Sequence, residues 1–182
     1  MLTLPGPRLV LRTVHPDDIP RLLEILRSPE VAPFWSAPPE GAEEAAEERA
    51  LLLGEDADGG EAISTFVITL NGGLDSNIVG WIAGWEKLQP EYRHAGIDLF
   101  LDGARQGQGY GPEAIGLVCR YLFEQRGHHR ITIDPAASNL RAIRSYEKVG
   151  FQRVGVLRRY ERSHDGTYHD GVLLDLLAED LR

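Results

Sequence analysis

The stretch Gly96–Gly111 reads G-I-D-L-F-L-D-G-A-R-Q-G-Q-G-Y-G and contains two different patterns. After the opening glycine, Ile97, Leu99 and Leu101 alternate with Asp98, Phe100 and Asp102. This is the two-residue period of a β-strand. Glycines then occupy Gly107, Gly109 and Gly111. Pro112-Glu113 follows them, and a proline with an acidic residue behind it is typical of a helix start. The stretch therefore predicts a strand, a glycine-rich loop and a helix N-terminus.

The predicted loop suits a phosphate or pyrophosphate group. Glycines lack a Cβ atom, so consecutive backbone N–H groups can turn towards one concave face. The helix N-terminus adds unpaired N–H groups and the positive end of its dipole. The spacing does not fit the dinucleotide motif G-x-G-x-x-G, and no G-K-[ST] of a nucleoside-triphosphate loop is present. A glycine-rich turn without a ligand is the alternative for the loop taken alone.

The rest of the chain alternates predicted strands and helices without a linker or a repeat. The acidic face of the helix over 40–53 is interpreted as a solvated surface. Strands are predicted at 8–12, 63–70, 78–85, 94–102, 130–134, 151–162 and 167–177, and helices after His15, over 40–53, after Gly111 and over 140–149. Turns are expected at Asn71-Gly72-Gly73 and Asp165-Gly166.

Length and composition limit the function classes. A chain of 182 residues predicts one domain over 1–182, and no run of 18 apolar residues predicts a membrane span. Nineteen Lys and Arg against 28 Asp and Glu give a formal charge of −9, which disfavours nucleic acid and favours cationic partners. The lone Cys119 predicts a core residue in a reducing, cytoplasmic compartment. We expect no metal, because the six histidines show no metal-site spacing, and no G-x-S-x-G hydrolase motif occurs.

A second motif lies in 132–151, where N-x-x-A-x-x-x-Y-x-K-x-G-F begins at Asn139. Asn139, Ile143 and Tyr146 fall three or four residues apart, so the amide and the phenol share one helical face. Read from Gln106, the glycine loop also fits Q/R-x-x-G-x-G/A. Together the two motifs resemble the GNAT superfamily of N-acetyltransferases across the C-terminal half of the chain.

Within that superfamily, G-I-D and D-P-x-x-S-N-L-R-A-I-R-x-Y-E-K-x-G-F are most similar to the aminoglycoside 6'-N-acetyltransferases. The N-terminal half resembles them only in the order of elements and the Phe34-Trp35 pair. The resemblance implies an α/β (α+β) fold: a mixed, mostly antiparallel sheet of about seven strands, splayed between the fourth and fifth strands and flanked by four helices. A monomer or a homodimer is consistent with the family.

The resemblance also implies acetyl-CoA as co-substrate, with its pantetheine arm in the gap between 94–102 and 129–134. The arm would pair with the backbone of Leu99, Phe100 and Leu101, and Asn139 would hold its amide. The amine would then attack acetyl-CoA directly, without a covalent enzyme intermediate. The pyrophosphate would lie on the loop formed by Gln106, Gly107, Gln108, Gly109, Tyr110 and Gly111.

Two residues are implied in catalysis. Asp98 corresponds to the catalytic aspartate of the aminoglycoside family, as an orienting carboxylate and base acting directly or through a water. A salt bridge to Arg93 or Arg105 is the alternative. With a pKa of about 4 for Asp and about 8 for the amine, proton transfer is uphill by ~5 kcal/mol, so burial must raise the pKa of Asp98 or the amine must arrive partly neutral. Tyr146 would donate a hydrogen bond to the departing thiolate.

The acceptor is less defined. Asp134 is either an ammonium-binding residue or a turn residue, and Trp35 is either a pocket wall or a hydrophobic anchor. The leading function is acetylation of a small cationic amine, an aminoglycoside at its 6'-amine. The runner-up acts on protein N-termini of the ribosomal type, whose closing D-G-x-Y-H-D pattern occurs at 165–170. The third is an acyl-CoA sensor without turnover.

Overall fold

A computed structural model describes residues 1–35, 39–55, 61–71, 77–162 and 166–182. Within these ranges one sheet contains eight strands in the order β1-β2-β3-β4-β5-β6-β8-β7. The strands are β1 (Thr3–Pro5), β2 (Leu9–Thr13), β3 (Glu61–Leu70), β4 (Ile78–Lys87), β5 (His94–Leu101), β6 (Arg130–Ile133), β7 (Gln152–Arg162) and β8 (Tyr168–Leu177). The helices are α1 (Ile19–Leu26), α2 (Ala42–Leu53), α3 (Tyr110–Arg120) and α4 (Leu140–Val149).

The predicted architecture is confirmed. All neighbouring strands pair antiparallel except β5 and β6, which pair parallel. The sheet has one strand more than expected because Thr3–Pro5 pairs with β2, and three residues are too few to show a strand period. Residues 72–73 and Asp165 of the two expected turns lie outside the described residues, but the strands on either side of each pair as predicted.

The two faces of the sheet carry separate hydrophobic clusters. Helices α3 and α4 pack on one face, together with Leu11, Ile82 and Ile97. Helix α1 and the end of α2 pack on the other face, where Trp81 and Phe100 are buried. Because side chains alternate along a strand, β3, β4 and β5 each contribute to both clusters.

The acidic face of α2 is exposed as expected, apart from Glu48, which forms a salt bridge with Arg27 at 2.6 Å. Cys119 is fully buried in α3, and burial raises the pKa of its thiol. None of the helices in the described ranges is long and apolar enough to cross a membrane.

The parallel strands β5 and β6 separate almost at once. They pair only at Ala95 with Ile131 and at Gly96 with Thr132. β5 continues to pair with β4 as far as Leu101 on its other side. From Ile97 onwards, half of the backbone N–H and C=O groups of β5 therefore face a gap instead of a neighbouring strand. This is the predicted splay, between the fifth and sixth strands of the eight.

The end of α4 gives a test of the packing. Gly150 caps the helix with φ of 121°, and a Cβ atom there would overlap the carbonyl oxygen of Asp180. We expect Gly150→Ala to lower the free energy of unfolding by about 2–3 kcal/mol, through the positive φ and the backbone clash. Urea unfolding measures the change.

Gly155 provides the control, because a Cβ atom at this exposed strand position meets nothing within 4 Å. Gly155→Ala should change stability by no more than about 0.5 kcal/mol. Equal stability of the two variants would contradict the described cap.

Candidate active site

A cavity of about 1020 Å³ opens where β5 and β6 separate. Its walls come from β5, the glycine loop, the end of β6, α4 and β7. Most of the predicted site residues line it: Trp35, Asp98, Leu99, Phe100, Leu101, Gln106, Gly107, Gly109, Gly111, Asp134, Asn139 and Tyr146. Gln108 and Tyr110 are not among the lining residues. The side chain of Gln108 donates to the carbonyl of Ala104, and the ring of Tyr110 lies under the guanidinium of Arg8.

Arg8 fixes the conformation of the glycine loop. Its guanidinium donates to the carbonyl oxygens of Gln108 at 2.9 Å and Gly109 at 3.1 Å, and its Nε to Glu113 at 2.7 Å. Gly107 and Gly109 have φ of 76° and 84°, values that favour glycine. With two loop carbonyls engaged by Arg8, the N–H groups of Gly107, Gln108 and Gly109 have no acceptor in the described residues. The loop thus offers backbone donors ahead of α3, as an anion site requires.

Two amide side chains connect the cavity walls. Gln106 donates from Nε2 to the carbonyl of Leu101 at 2.9 Å, which ties the loop to the end of β5. Its Oε1 is buried without a partner in the described part of the chain. Asn139 caps α4 by accepting the N–H of Ala142 at 3.2 Å. These groups leave polar atoms at the wall for an elongated ligand with amides of its own.

Basic side chains of α4 line the same cavity and were not predicted as site residues. They are Arg141, Arg144 and Lys148. Their three- and four-residue spacing places them along one side of the helix. The motif that begins at Asn139 therefore already contains these basic residues. They were not predicted as site residues because charged residues on a helix usually face solvent.

Asp98 lies on β5 beside the gap and is partly buried. Neither Arg93 nor Arg105 forms an ion pair with it within the described ranges, and Arg93 donates to the carbonyls of Arg126 and Gly127 instead. Burial, together with the nearby charges of Asp134 and Glu161, raises the pKa of Asp98 to about 6. Asp98 is therefore a stronger base than an ordinary aspartate.

Trp85 supports Asp98 from β4. It pairs with Gly96 in the β4–β5 register, and a Cβ atom on Gly96 would overlap its ring. The indole thus lies against the β5 backbone two residues before Asp98, and its hydrogen bond to the carboxylate lowers the pKa of Asp98. His94 packs at another edge of the ring, with centroids 5.5 Å apart. A glycine inside a strand indicates close approach of another group, so Gly96 was a sign of this contact.

Tyr146 projects from α4 into the cavity and is buried. Burial raises the pKa of its hydroxyl above the usual range, and the negative charges of Asp98 and Asp134 raise it further. The phenol therefore remains protonated at neutral pH, and it can act as a hydrogen-bond donor.

The far wall of the cavity is acidic. The hydroxyl of Tyr160 donates to Asp134 at 2.5 Å, and this hydrogen bond, together with desolvation and the nearby carboxylates, raises the pKa of Tyr160 to about 12. Glu161 lines the same wall, and desolvation together with the charge of Asp134 raises its pKa. Glu161 was not predicted, because its charged sequence context on β7 gives no sign of which way it faces. Three carboxylates, those of Asp98, Asp134 and Glu161, thus lie near enough to influence one another.

Trp35 serves as both anchor and wall. Its ring makes edge-on contacts with Trp81 and Phe100, at centroid distances of 5.9 and 5.3 Å. It also lines the cavity beside Phe34. The two interpretations of this residue are therefore compatible.

A family model described as an acetyltransferase (GNAT) domain matches residues 8–152, which include the splayed strands, the glycine loop and α4. The chain belongs to the GNAT family. It is therefore an N-acetyltransferase, of a family that uses acetyl-CoA as the acetyl donor.

Relatives of this GNAT enzyme act on different acceptors. It is 29% identical over 171 residues to the aminoglycoside N(6')-acetyltransferase type 1 of Klebsiella pneumoniae, covering 86% of this chain and 80% of the relative. The spermidine N-acetyltransferase of Vibrio cholerae, solved with CoA and spermine, has a TM-score of 0.77 at 22% identity and covers 96% of this chain and 98% of its own. The ribosomal-protein-S5-alanine acetyltransferase of Vibrio fischeri has a TM-score of 0.78 at 16% identity over 100% of both chains. The last two likenesses establish the fold alone.

The raised pKa of Asp98 predicts a stability change in this GNAT enzyme. The pKa is about 6 in the folded chain against 3.8 for an ordinary aspartate, so the folded state binds more protons between these values. The stability contributed by Asp98 is hence present below pH 4 and lost as pH rises through 6. Asp98→Asn removes the buried charge, and we expect it to stabilise the protein at pH 7.5 by up to about 3 kcal/mol.

Urea midpoints at pH 7.5 and pH 4 measure this difference. The stabilisation should largely disappear at pH 4, where the aspartate is already protonated in the folded state. A destabilisation of the same size at both pH values would contradict the desolvated carboxylate.

Proposed function

We propose that this protein transfers the acetyl group of acetyl-CoA to a primary amine of a polycationic acceptor, an aminoglycoside at its 6'-amine. The observation that carries the proposal is the group of three carboxylates, Asp98, Asp134 and Glu161, at one end of the cavity. Each raises the electrostatic energy of the others, so a guest with several ammonium groups relieves their repulsion. Residues 1–182 would act as one acetyltransferase domain, because one sheet joins β1 to β8.

The opposite end of the cavity fits acetyl-CoA. The donor-rich loop at Gly107–Gly109 would hold the pyrophosphate, and the basic residues of α4 would lie beside the nucleotide phosphates. The backbone groups of Leu99–Leu101 that face the gap would pair with the pantetheine arm as an added strand, next to the Leu101 carbonyl that Gln106 already engages. The side-chain amides of Gln106 and Asn139 would complete the hydrogen bonds of the arm. When bound, acetyl-CoA supplies a thioester that an amine can attack directly.

Asp98 would orient the attacking amine and remove its proton. With its pKa at about 6 and an amine near about 8, proton transfer is uphill by ~3 kcal/mol, compared with ~5 kcal/mol for an ordinary aspartate. Desolvation of Asp98 therefore removes part of the unfavourable free energy of proton transfer. Tyr146 stays protonated and would stabilise the departing thiolate by a hydrogen bond.

The choice of acceptor draws support from the Klebsiella pneumoniae relative, which by its name acts on aminoglycosides. An aminoglycoside presents several ammonium groups on rigid rings, and the carboxylates of Asp134 and Glu161 would bind groups away from the reacting amine. A peptide N-terminus presents a single ammonium group and would leave two of the three carboxylates without an ammonium group of the acceptor. This difference favours the aminoglycoside over the ribosomal-type acceptor.

The test is thiol release from acetyl-CoA with kanamycin, spermidine and a panel of N-terminal peptides. We expect turnover with kanamycin, reduced by about 10²–10⁴ in kcat in Asp98→Asn. Glu161→Gln should raise KM for kanamycin by about tenfold while changing kcat little, because it removes a charge from ground-state binding.

Other outcomes would overturn parts of the proposal. Turnover with peptides alone would assign the runner-up acceptor, and turnover with spermidine alone would assign a flexible polyamine. Acetyl-CoA binding by calorimetry without turnover of any acceptor would leave a sensor.

Trp85 allows a separate test of Asp98 as the base. The acid limb of kcat/KM should follow the pKa of Asp98, with activity lost as pH falls through about 6. Trp85→Phe removes the hydrogen bond that favours the carboxylate, so we expect the limb to move up by about one pH unit. Trp81→Phe is the control, because its indole donates to the carbonyl of Leu52 away from Asp98. A limb that moves equally in both variants, or in neither, would contradict the assignment.

A further inference from the structure

Arg159 is unusual in the backbone of β7. Among the non-glycine residues that the structure describes, it alone has a positive φ, 47°. The register of β7 against β8 shifts between Leu157 and Glu161, so Arg159 lies inside a bulge. L-residues adopt this conformation at an energetic penalty, and a bulge re-aims the side chains that follow it.

Asp170 on β8 holds this conformation. Its Oδ1 accepts the backbone N–H of Arg159 at 2.8 Å. The register gives residues 158–160 no ladder partner on β8, and the carboxylate supplies an acceptor for the N–H of Arg159. Asp170 itself is not among the residues that line the cavity.

The bulge sets the position of the acidic wall. Tyr160 and Glu161 directly follow Arg159, and both line the cavity. The ring of Tyr160 packs over Gly171, where a Cβ atom would lie 3.1 Å from Cδ1. Its hydroxyl thereby reaches Asp134 at 2.5 Å. A regular strand would turn alternate residues to opposite faces, so the bulge changes which of these side chains meets the cavity.

The same part of β8 also fixes the segment that carries Asp134. The carbonyl of Asp170 accepts the N–H of Ala137 at 2.8 Å, and the N–H of Val172 donates to the carbonyl of Pro135 at 2.9 Å. Ala136 and Gly171 form a β-bridge between these bonds. Asp170 therefore contacts both parts of the wall, the bulge through its side chain and the 134–137 segment through its backbone.

We propose that Asp170 is a positioning residue that sets acceptor specificity by holding Tyr160 and Glu161 against Asp134. The proposal rests on the acceptor site described under the proposed function. Asp170 is the last residue of the D-G-x-Y-H-D pattern at 165–170. In this proposal it holds the acceptor wall in the same conformation whichever amine is bound. Tyr160 acts as the internal donor that occupies Asp134 until an ammonium group replaces it.

The kinetic test compares three changes with kanamycin as acceptor. Asp170→Ala releases the bulge, and we expect KM for kanamycin to rise about tenfold, with kcat and KM for acetyl-CoA within about threefold of wild type. Asp170→Asn keeps an oxygen that accepts the N–H of Arg159 and should restore KM. Arg159→Gly in the Asp170→Ala background should also restore it partly, because glycine adopts a positive φ without support.

A structural readout does not depend on turnover. The ¹³Cζ resonance of Tyr160, assigned by its loss in Tyr160→Phe, reports the hydrogen bond to Asp134. We expect Asp170→Ala to shift this resonance in the direction seen in Asp134→Asn, whereas Asp170→Asn should leave it at the wild-type position. An unchanged resonance in Asp170→Ala would overturn the proposal even if no tested acceptor is turned over.

The two readouts distinguish failure of the proposed function from failure of the proposed role of Asp170. Absence of wild-type turnover with every acceptor would count against the proposed function, while the Tyr160 resonance still decides the role of Asp170. If Asp170→Ala and Asp170→Asn lowered kcat and raised both KM values to the same extent, Asp170 would have only a general structural role, and the proposal would be wrong.

Discussion

The site depends on the early separation of β5 and β6, which pair at only two positions. Parallel strands normally continue their ladder, and here β5 loses its neighbour at the point where Asp98 and the backbone of Leu99–Leu101 begin. The exposed backbone would require water or another strand-like partner, because unpaired N–H and C=O groups are unfavourable when buried. The glycine loop, α4 and β7 then close around this gap, and residues from each of them line the same cavity.

The cavity is lined by groups of both charges. In the proposed arrangement, loop N–H groups and the basic residues of α4 would attract phosphates, while Asp98, Asp134 and Glu161 would attract cations. A protein with a net charge of −9 thus keeps a local positive field where the anionic co-substrate would lie. If the two substrates carry opposite charges, as proposed, this arrangement would favour one orientation for each.

The sequence allowed prediction of the fold and of the residues whose placement is local. Local patterns predicted most of the cavity lining. They are the strand period of 97–102, the glycines after it and the helical spacing of Asn139 and Tyr146, and each depends only on nearby residues. The prediction did not include Trp85 or Glu161. Trp85 acts across a strand pair, and Glu161 reaches the cavity through a bulge that shifts its register. Arg8 was missed for a related reason, because it holds a loop about a hundred residues away.

The contact between Trp85 and Gly96 has a consequence for how this sequence can vary. The indole fills the space that any side chain at position 96 would need, so the two facing positions form one steric unit. A chain with this fold that keeps tryptophan at 85 in this orientation is restricted to glycine at 96, whereas a residue with a Cβ atom at 96 requires a smaller or turned side chain at 85. The glycine of G-I-D is thus half of a pair whose substitutions should occur together.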